Sequence, residues 1–207
     1  MAFQLLLFYL MKKTIIASMA LLALTACQNS GVSKEQELSY LLENPLFAER
    51  YSEAMVDTMV ELEIYEDPII QDAAKMKIID KTKERWLKIA KKARADQREG
   101  SKGSFTPITE FTAGEVLYSN DTVFLAPDFA SAPGPSLHFY LTTVVDPRDA
   151  DFPDETAIDL GAMRSNLGTG RYEVIALEDP IKYQTLVLFD TELERLYGFA
   201  QISPLYK

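Results

Sequence analysis

The chain has 207 residues, with 31 Asp and Glu set against 21 Lys and Arg, a formal charge of −10, and only one Cys and one His. A surface this acidic argues against nucleic acid as a partner, because neutralising phosphates with Lys and Arg supplies most non-specific affinity. A single cysteine excludes a disulfide framework, and a single histidine excludes any multi-histidine metal site.

The first recognisable element is an export signal. Lys12 and Lys13 precede an apolar run from Thr14 to Leu24, and small residues then lead into Leu24-Thr25-Ala26-Cys27. This is the layout of a cleavable secretory signal, with Met11 as its natural start. The apolar run is about half of the roughly 20 residues that span a bilayer, so it is too short for a transmembrane anchor. A lone cysteine directly after a signal suits neither a buried core residue nor half of a disulfide.

The ending Leu-Thr-Ala-Cys resembles a bacterial lipobox. That resemblance implies that Cys27 becomes the first mature residue and carries acyl chains such as palmitate, so its sulfur is unavailable for redox or metal chemistry. Loss of residues 1–26 removes two lysines and no acids, which takes the net charge to −12. This acidity also argues against an anionic lipid face as partner, and acyl chains make such a patch unnecessary, since each buried methylene contributes about 0.8 kcal/mol and two chains anchor stably. The polar segment 27–33 is read as a lipidated tether with a reach of about 20 Å when extended.

The segment 34–98 reads as a helical hairpin. Phe47, Tyr51, Ala54, Met55, Thr58, Met59 and Leu62 recur at steps of three and four, one apolar stripe with Glu49, Arg50, Glu53, Asp57 and Glu61 opposite. Asp67-Pro68 reads as a cap followed by a first-turn proline, which starts a second helix with the stripe Ile69, Ala73, Met76, Ile79, Trp86 and Ala90. Two such helices joined tightly fold back antiparallel. The basic tail Lys88, Lys91, Lys92 and Arg94 reads as a solvated helix end, with a binding patch as the alternative.

Gln97 to Gly103, with charge, two glycines and no apolar side chain, is the expected domain boundary. From Gly103 to Lys207 the period becomes two. Leu137, Phe139, Leu141, Thr143 and Val145 alternate with Ser136, His138, Tyr140, Thr142 and Val144, and Val116–Tyr118 and Thr122–Ala126 flank the turn Ser119-Asn120-Asp121. Further strands are expected over Tyr172–Leu177, Tyr183–Phe189 and Leu193–Ile202, the last facing Leu196, Gly198, Ala200 and Ile202 inward. The fold class is therefore α+β: an antiparallel helical hairpin followed by an antiparallel β-sandwich or barrel.

The β half resembles the DM-thirteen domain family, labelled as an electron-transfer domain. The matching pieces are Gly103-Ser104-Phe105, Gly114-Glu115-Val116, Leu125 with Asp128-Phe129, and Gly134-Pro135-Ser136-Leu137-His138-Phe139-Tyr140-Leu141. Ile158-Asp159-Leu160-Gly161, then Gly168, Gly170 and Tyr172, and finally Phe189 to Ile202 complete the set. The resemblance implies a redox cysteine early in the last hairpin, where this chain has Asp190 after Leu188-Phe189. A carboxylate cannot replace a thiol in electron or disulfide exchange.

Other chemistry is sparsely supported. His138 reads as a polar residue on a solvated strand face, with a haem or transition-metal ligand as the alternative. Ser136 belongs to no nucleophile elbow, and Gly168-Thr169-Gly170 lacks the Lys-Ser or Lys-Thr of a phosphate loop. Asp146, Asp149, Asp151, Asp154 and Glu155 are hard-oxygen candidates for calcium, but the spacing is no EF-hand, and Pro147 and Pro153 suggest an extended solvated loop. The expectation is an envelope lipoprotein without cofactor or enzymatic activity, binding a small ligand or an envelope protein through its β domain. A cofactor-dependent redox accessory is the rival. Gln28 is not the aspartate of inner-membrane retention, which by analogy places the protein on the periplasmic side of the outer membrane.

Overall fold

The structure is a computed structural model that describes residues 34–204, except 176 and 178; the signal, Cys27 and the tether lie outside the described residues. It opens with α1 (Lys34–Leu41), α2 (Pro45–Ile64) and α3 (Ala73–Glu99). Asn44, three residues beyond the first, starts the second. Its Oδ1 accepts the N–H groups of Leu46 at 3.0 Å and Phe47 at 3.4 Å, and Pro45 occupies the position where a missing donor costs nothing.

The second long helix starts later than the Asp67-Pro68 pair suggests. Asp67 caps only a short 3₁₀ turn, Pro68–Gln71, and Asp72 caps α3 through Ala74 N–H at 2.8 Å and Lys75 N–H at 3.3 Å. Both aspartates are competent caps, and Ile69 and Ile70 are half-buried in the intervening turn, which absorbs the chain reversal. The helices α2 and α3 then pack antiparallel. Tyr51 meets Trp86 edge-on at 5.2 Å between ring centroids, and Arg94 pairs with Glu49 at 2.9 Å and with Glu53.

No linker separates helices from sheet. Gly100 alone stands between α3 and β1 (Ser101–Pro107), and a Cβ there would meet the Tyr118 carbonyl oxygen at 2.6 Å. The following strands are β2 (Thr112–Ala113), β3 (Glu115–Ser119), β4 (Thr122–Leu125), β5 (Ala130–Ser131) and β6 (Leu137–Thr142). After these come β7 (Ile158–Ala162), β8 (Gly170–Glu173), β9 (Thr185–Asp190), β10 (Arg195–Gln201) and β11 (Ser203–Pro204).

The main sheet runs β7-β6-β9-β10-β1-β3-β4-β8, antiparallel throughout, and curls into a nearly closed barrel. The expected α+β architecture, a helical hairpin followed by an antiparallel β barrel, is present. The barrel interior is filled by Phe105, Val116, Val123, Phe129, Phe139, Leu141, Tyr172, Leu186 and Leu188. Leu46 of α2 covers the outside of β3 and β4, packing with Leu117, Phe124 and Ala126, while Asn44 donates from Nδ2 to the Leu125 carbonyl at 2.8 Å. Helices and β strands thus share a buried seam.

Two details depart from simple alternation. A bulge between Leu196 and Gly198 resets β10, so that Tyr197, Ala200 and Ile202 face the barrel interior while Leu196 and Phe199 face outward. The outer face of β6, β9 and β10 is also not solvated. Tyr140, Val187, Phe189 and Phe199 form a second cluster there, roofed by Phe152, Ala157, Ile108 and Leu196. All six residues of β9 are buried for this reason.

Candidate functional site

His138 does not stand on an open polar face. Its Nδ1 lies 3.1 and 2.9 Å from the two carboxylate oxygens of Asp159 on β7, which also accepts the Gly161 N–H at 2.7 Å. A carboxylate held against Nδ1 orients the ring, and Nε2 has no hydrogen-bond partner among the described residues.

The acidic run is a roof rather than an extended solvated loop. Pro147 is buried, Phe152 packs 5.3 Å from Phe189 and 5.6 Å from Tyr140, and the Arg148 guanidinium lies 5.5 Å above the Phe199 ring. Two of the five acids hold this roof together. Asp146 accepts the Arg148 backbone N–H at 3.0 Å and its Nε at 2.9 Å, and hydrogen bonding to that side chain brings its pKa down to about 2. Asp154 accepts the Thr142 hydroxyl at 2.6 Å and the Thr156 N–H at 2.8 Å; burial pushes its carboxyl up, but these bonds outweigh burial and leave it below the usual range. Asp149, Asp151 and Glu155 point to solvent. Among the described residues no three His, Cys, Asp or Glu side chains converge as around a metal ion.

Asp190, where the family resemblance implies a cysteine, is fully buried and structural. One oxygen accepts the N–H groups of Glu192 and Leu193, both at 3.0 Å, and the other accepts Ser136 N–H at 3.4 Å. It closes the β9–β10 turn and ties that turn to the segment entering β6.

A cleft of about 400 Å³ lies where α3 ends, between the β3–β4 turn and residues 180–183. That is within the roughly 300–1,000 Å³ of small-ligand sites. Its walls are Glu99, Tyr118, Asn120, Asp121, Ile181 and Tyr183, with Gly100 at the base. The left-handed backbone of Asn120 (φ 50°) and Asp121 (φ 52°) makes the two-residue hairpin turn that puts both side chains on the rim. Tyr118 donates its hydroxyl to Asp121 Oδ1 at 3.1 Å; burial, helped by that carboxylate, pushes the phenol up to about 12. Ile181 is 69% exposed on the facing wall. The cleft therefore joins an apolar surface to a neutral hydroxyl and two carboxylates, and suits a ligand with an apolar body and a donor or cationic group. The strand pattern makes Ser119-Asn120-Asp121 legible as a turn; no local signal pairs it with Ile181, some 60 residues on.

An alkaline titration checks the Tyr118 environment. Because its folded pKa is raised, unfolding releases its proton more readily above pH 10, so its stabilising contribution is full below pH 10 and lost as the pH rises towards about 12. Tyr118→Phe is expected to remove one late-titrating phenol from the ultraviolet difference spectrum and to flatten the alkaline loss of stability; an unchanged late phase would contradict this placement.

Compared with protein-family models, with curated proteins and with solved structures, the chain matches none of them. Among the described residues no helix is long and apolar enough to cross a membrane.

Proposed function

We propose that this chain is a lipid-anchored protein of the bacterial envelope, acylated at Cys27, outer-membrane and periplasm-facing, and that it works as a non-enzymatic binding or assembly module. The β3–β4 cleft holds the ligand, a small molecule or a segment of an envelope partner. The observation that carries this reading is the cleft itself: ligand-sized, with an exposed apolar wall and a carboxylate rim in which Tyr118 donates to Asp121. The likeness to the DM-thirteen domain rests on the residues quoted above. Its electron-transfer chemistry is not carried over, because Asp190 is engaged by three backbone N–H groups and has no thiol function.

A redox accessory with a haem or transition metal is the second reading, favoured by the Asp159–His138 geometry, in which Nε2 has no hydrogen-bond partner among the described residues. Capture from solubilised envelope separates the two. Ile181→Asp, on an exposed side chain and so without a folding cost, is expected to reduce partner capture about tenfold, the effect of losing roughly 1.4 kcal/mol of binding. His138→Ala is expected to leave capture unchanged, and native protein should show no Soret band and no stoichiometric iron or copper. A chromophore or metal lost in His138→Ala, with capture indifferent to Ile181→Asp, would replace the binding module by the redox reading.

A further inference from the structure

The charge of this acidic chain is segregated by element. From Ser101 to Pro204 there are sixteen acids and six bases, a net of −10; α2 has five acids and one base, a net of −4; α3 has ten bases and four acids, a net of +6. On α3 the bases are not scattered. Lys77, Lys81, Arg85, Lys88 and Lys92 follow one another at steps of four, four, three and four, with Lys91 beside them, and all six are exposed. That spacing draws one line along the helix, about 22 Å long at 1.5 Å per residue. The buried residues Ile79, Trp86, Ala90, Ala93 and Gln97 occupy the other side, against α2.

Little within the fold neutralises this line. Lys88 pairs with Glu84 at 2.8 Å and Lys92 with Asp96 at 2.5 Å, both across one exposed helical turn, where an ion pair contributes only a few tenths of a kcal/mol. Lys77, Lys81, Arg85 and Lys91 have no ion-pair partner among the described residues. Ile78, 64% exposed, and Leu87, 47% exposed, border the line on its two sides. A straight row of exposed cations on one face of a helix is a surface that can lie along anionic headgroups, with each Lys and Arg reaching a phosphate.

We infer that the outer face of α3 docks on the anionic phospholipid surface of the membrane. The occupant follows from charge complementarity and from the straightness of the row, which fits a plane. The −10 region from Ser101 to Pro204 is repelled by the same surface, so the two fields orient the protein instead of cancelling. The overall acidity that argues against an anionic lipid partner is an average over elements of opposite sign. This inference uses the envelope-lipoprotein reading only to bring a membrane within reach.

Lysine labelling of the full chain tests it. Purified protein is mixed with phosphatidylcholine vesicles, or with the same vesicles containing phosphatidylglycerol, briefly acetylated, and each lysine quantified by mass spectrometry, with the acyl state of Cys27 read from the same sample. On anionic vesicles at low salt, Lys77, Lys81, Lys88, Lys91 and Lys92 are expected to react about tenfold more slowly, with Lys102 and Lys182 unchanged and the protection reversed by salt. Lys77→Glu with Lys81→Glu and Lys91→Glu, all exposed and outside any ion pair among the described residues, should abolish protection of Lys88 and Lys92 without changing the melt. Equal labelling on neutral and anionic vesicles overturns the inference. Protection without vesicles that grows with protein concentration also overturns it, in favour of a second copy's acidic β domain. An acylated Cys27 without protection removes the docking face and keeps the anchor; protection without acylation does the reverse.

Discussion

Cys27→Ala is expected to abolish acyl labelling and to move the protein from the detergent phase to the aqueous phase, or to leave it as an unprocessed precursor. The expectation comes from Leu24-Thr25-Ala26-Cys27 and the basic-then-apolar run before it. Each acyl methylene buried in a bilayer contributes about 0.8 kcal/mol, so two or three chains make partition effectively complete, and no polypeptide contact replaces them. The six cations of α3 would at most give reversible, salt-sensitive association. Detergent partition at low and at high salt therefore separates the two: acylated wild type stays in the detergent phase at both, and the variant at neither. A wild-type protein that takes no acyl label, and partitions like Cys27→Ala, would remove the lipoprotein assignment.

Much of the fold was legible because burial leaves a periodic trace. The steps of two from Leu137 to Leu141 correspond to β6, and Ser119-Asn120-Asp121 is the turn between β3 and β4. The steps of three and four from Phe47 to Leu62 mark a helix where α2 stands but not its buried face, since Pro45, Leu46, Ala48 and Ser52 are buried while Ala54 and Thr58 are exposed. What alternation could not convey is that a strand's second face is also covered. Tyr140 and His138 share the outward side of β6, yet Tyr140 is buried beneath Phe152 while His138 faces Asp159. A roof supplied by residues 143–157 leaves no mark on the strand it shelters. The bulge in β10 was hidden in the same way, since one extra residue inverts the facing of Leu196 while the local composition stays strand-like.

The separation between helices and sheet was illegible for a different reason. Gln97 to Gly103 has a linker's composition, but Gln97 is buried with its Nε2 donating to the Pro45 carbonyl at 3.0 Å, and Gly100 is needed for a close backbone approach to Tyr118. Polarity and glycine signal a loop only when they meet solvent. For the candidate site the chemistry-bearing residue types drew attention to His138 and the acid-rich run, where Asp159 holds His138 Nδ1, Asp146 and Asp154 bind within their own loop, and Asp149, Asp151 and Glu155 face solvent without converging. The cleft is made of ordinary residues from three separate segments. The cationic row on α3 was partly visible in Lys88, Lys91 and Lys92, but its length emerges only when the helix register runs back to Lys77.

Asp190→Ala is expected to cost about 3 kcal/mol of stability, near the top of the range for single substitutions. The carboxylate has no solvent exposure and is the acceptor for Glu192, Leu193 and Ser136 N–H groups. Each of these part-buried hydrogen bonds to a carboxylate contributes about 1 kcal/mol, and water admitted to the new cavity recovers part of that. The surroundings are built to the carboxylate's size: a Cβ at Gly134 would come within 2.5 Å of its Oδ2 and 2.6 Å of the Tyr197 hydroxyl, which itself donates to the Pro133 carbonyl at 3.3 Å. Asp190→Asn retains one carbonyl oxygen for the turn and should cost about 1 kcal/mol, the worth of one ordinary hydrogen bond. Asp190→Cys, which restores the residue type of the family this β domain resembles, loses all three acceptors and should behave like alanine rather than like a recovered redox site. Urea melts of the three variants with a common slope give the comparison. If alanine and cysteine both melt with wild type while asparagine does not, the turn is held by something other than this carboxylate, and the reason for an aspartate at the end of β9 would have to be sought in chemistry after all.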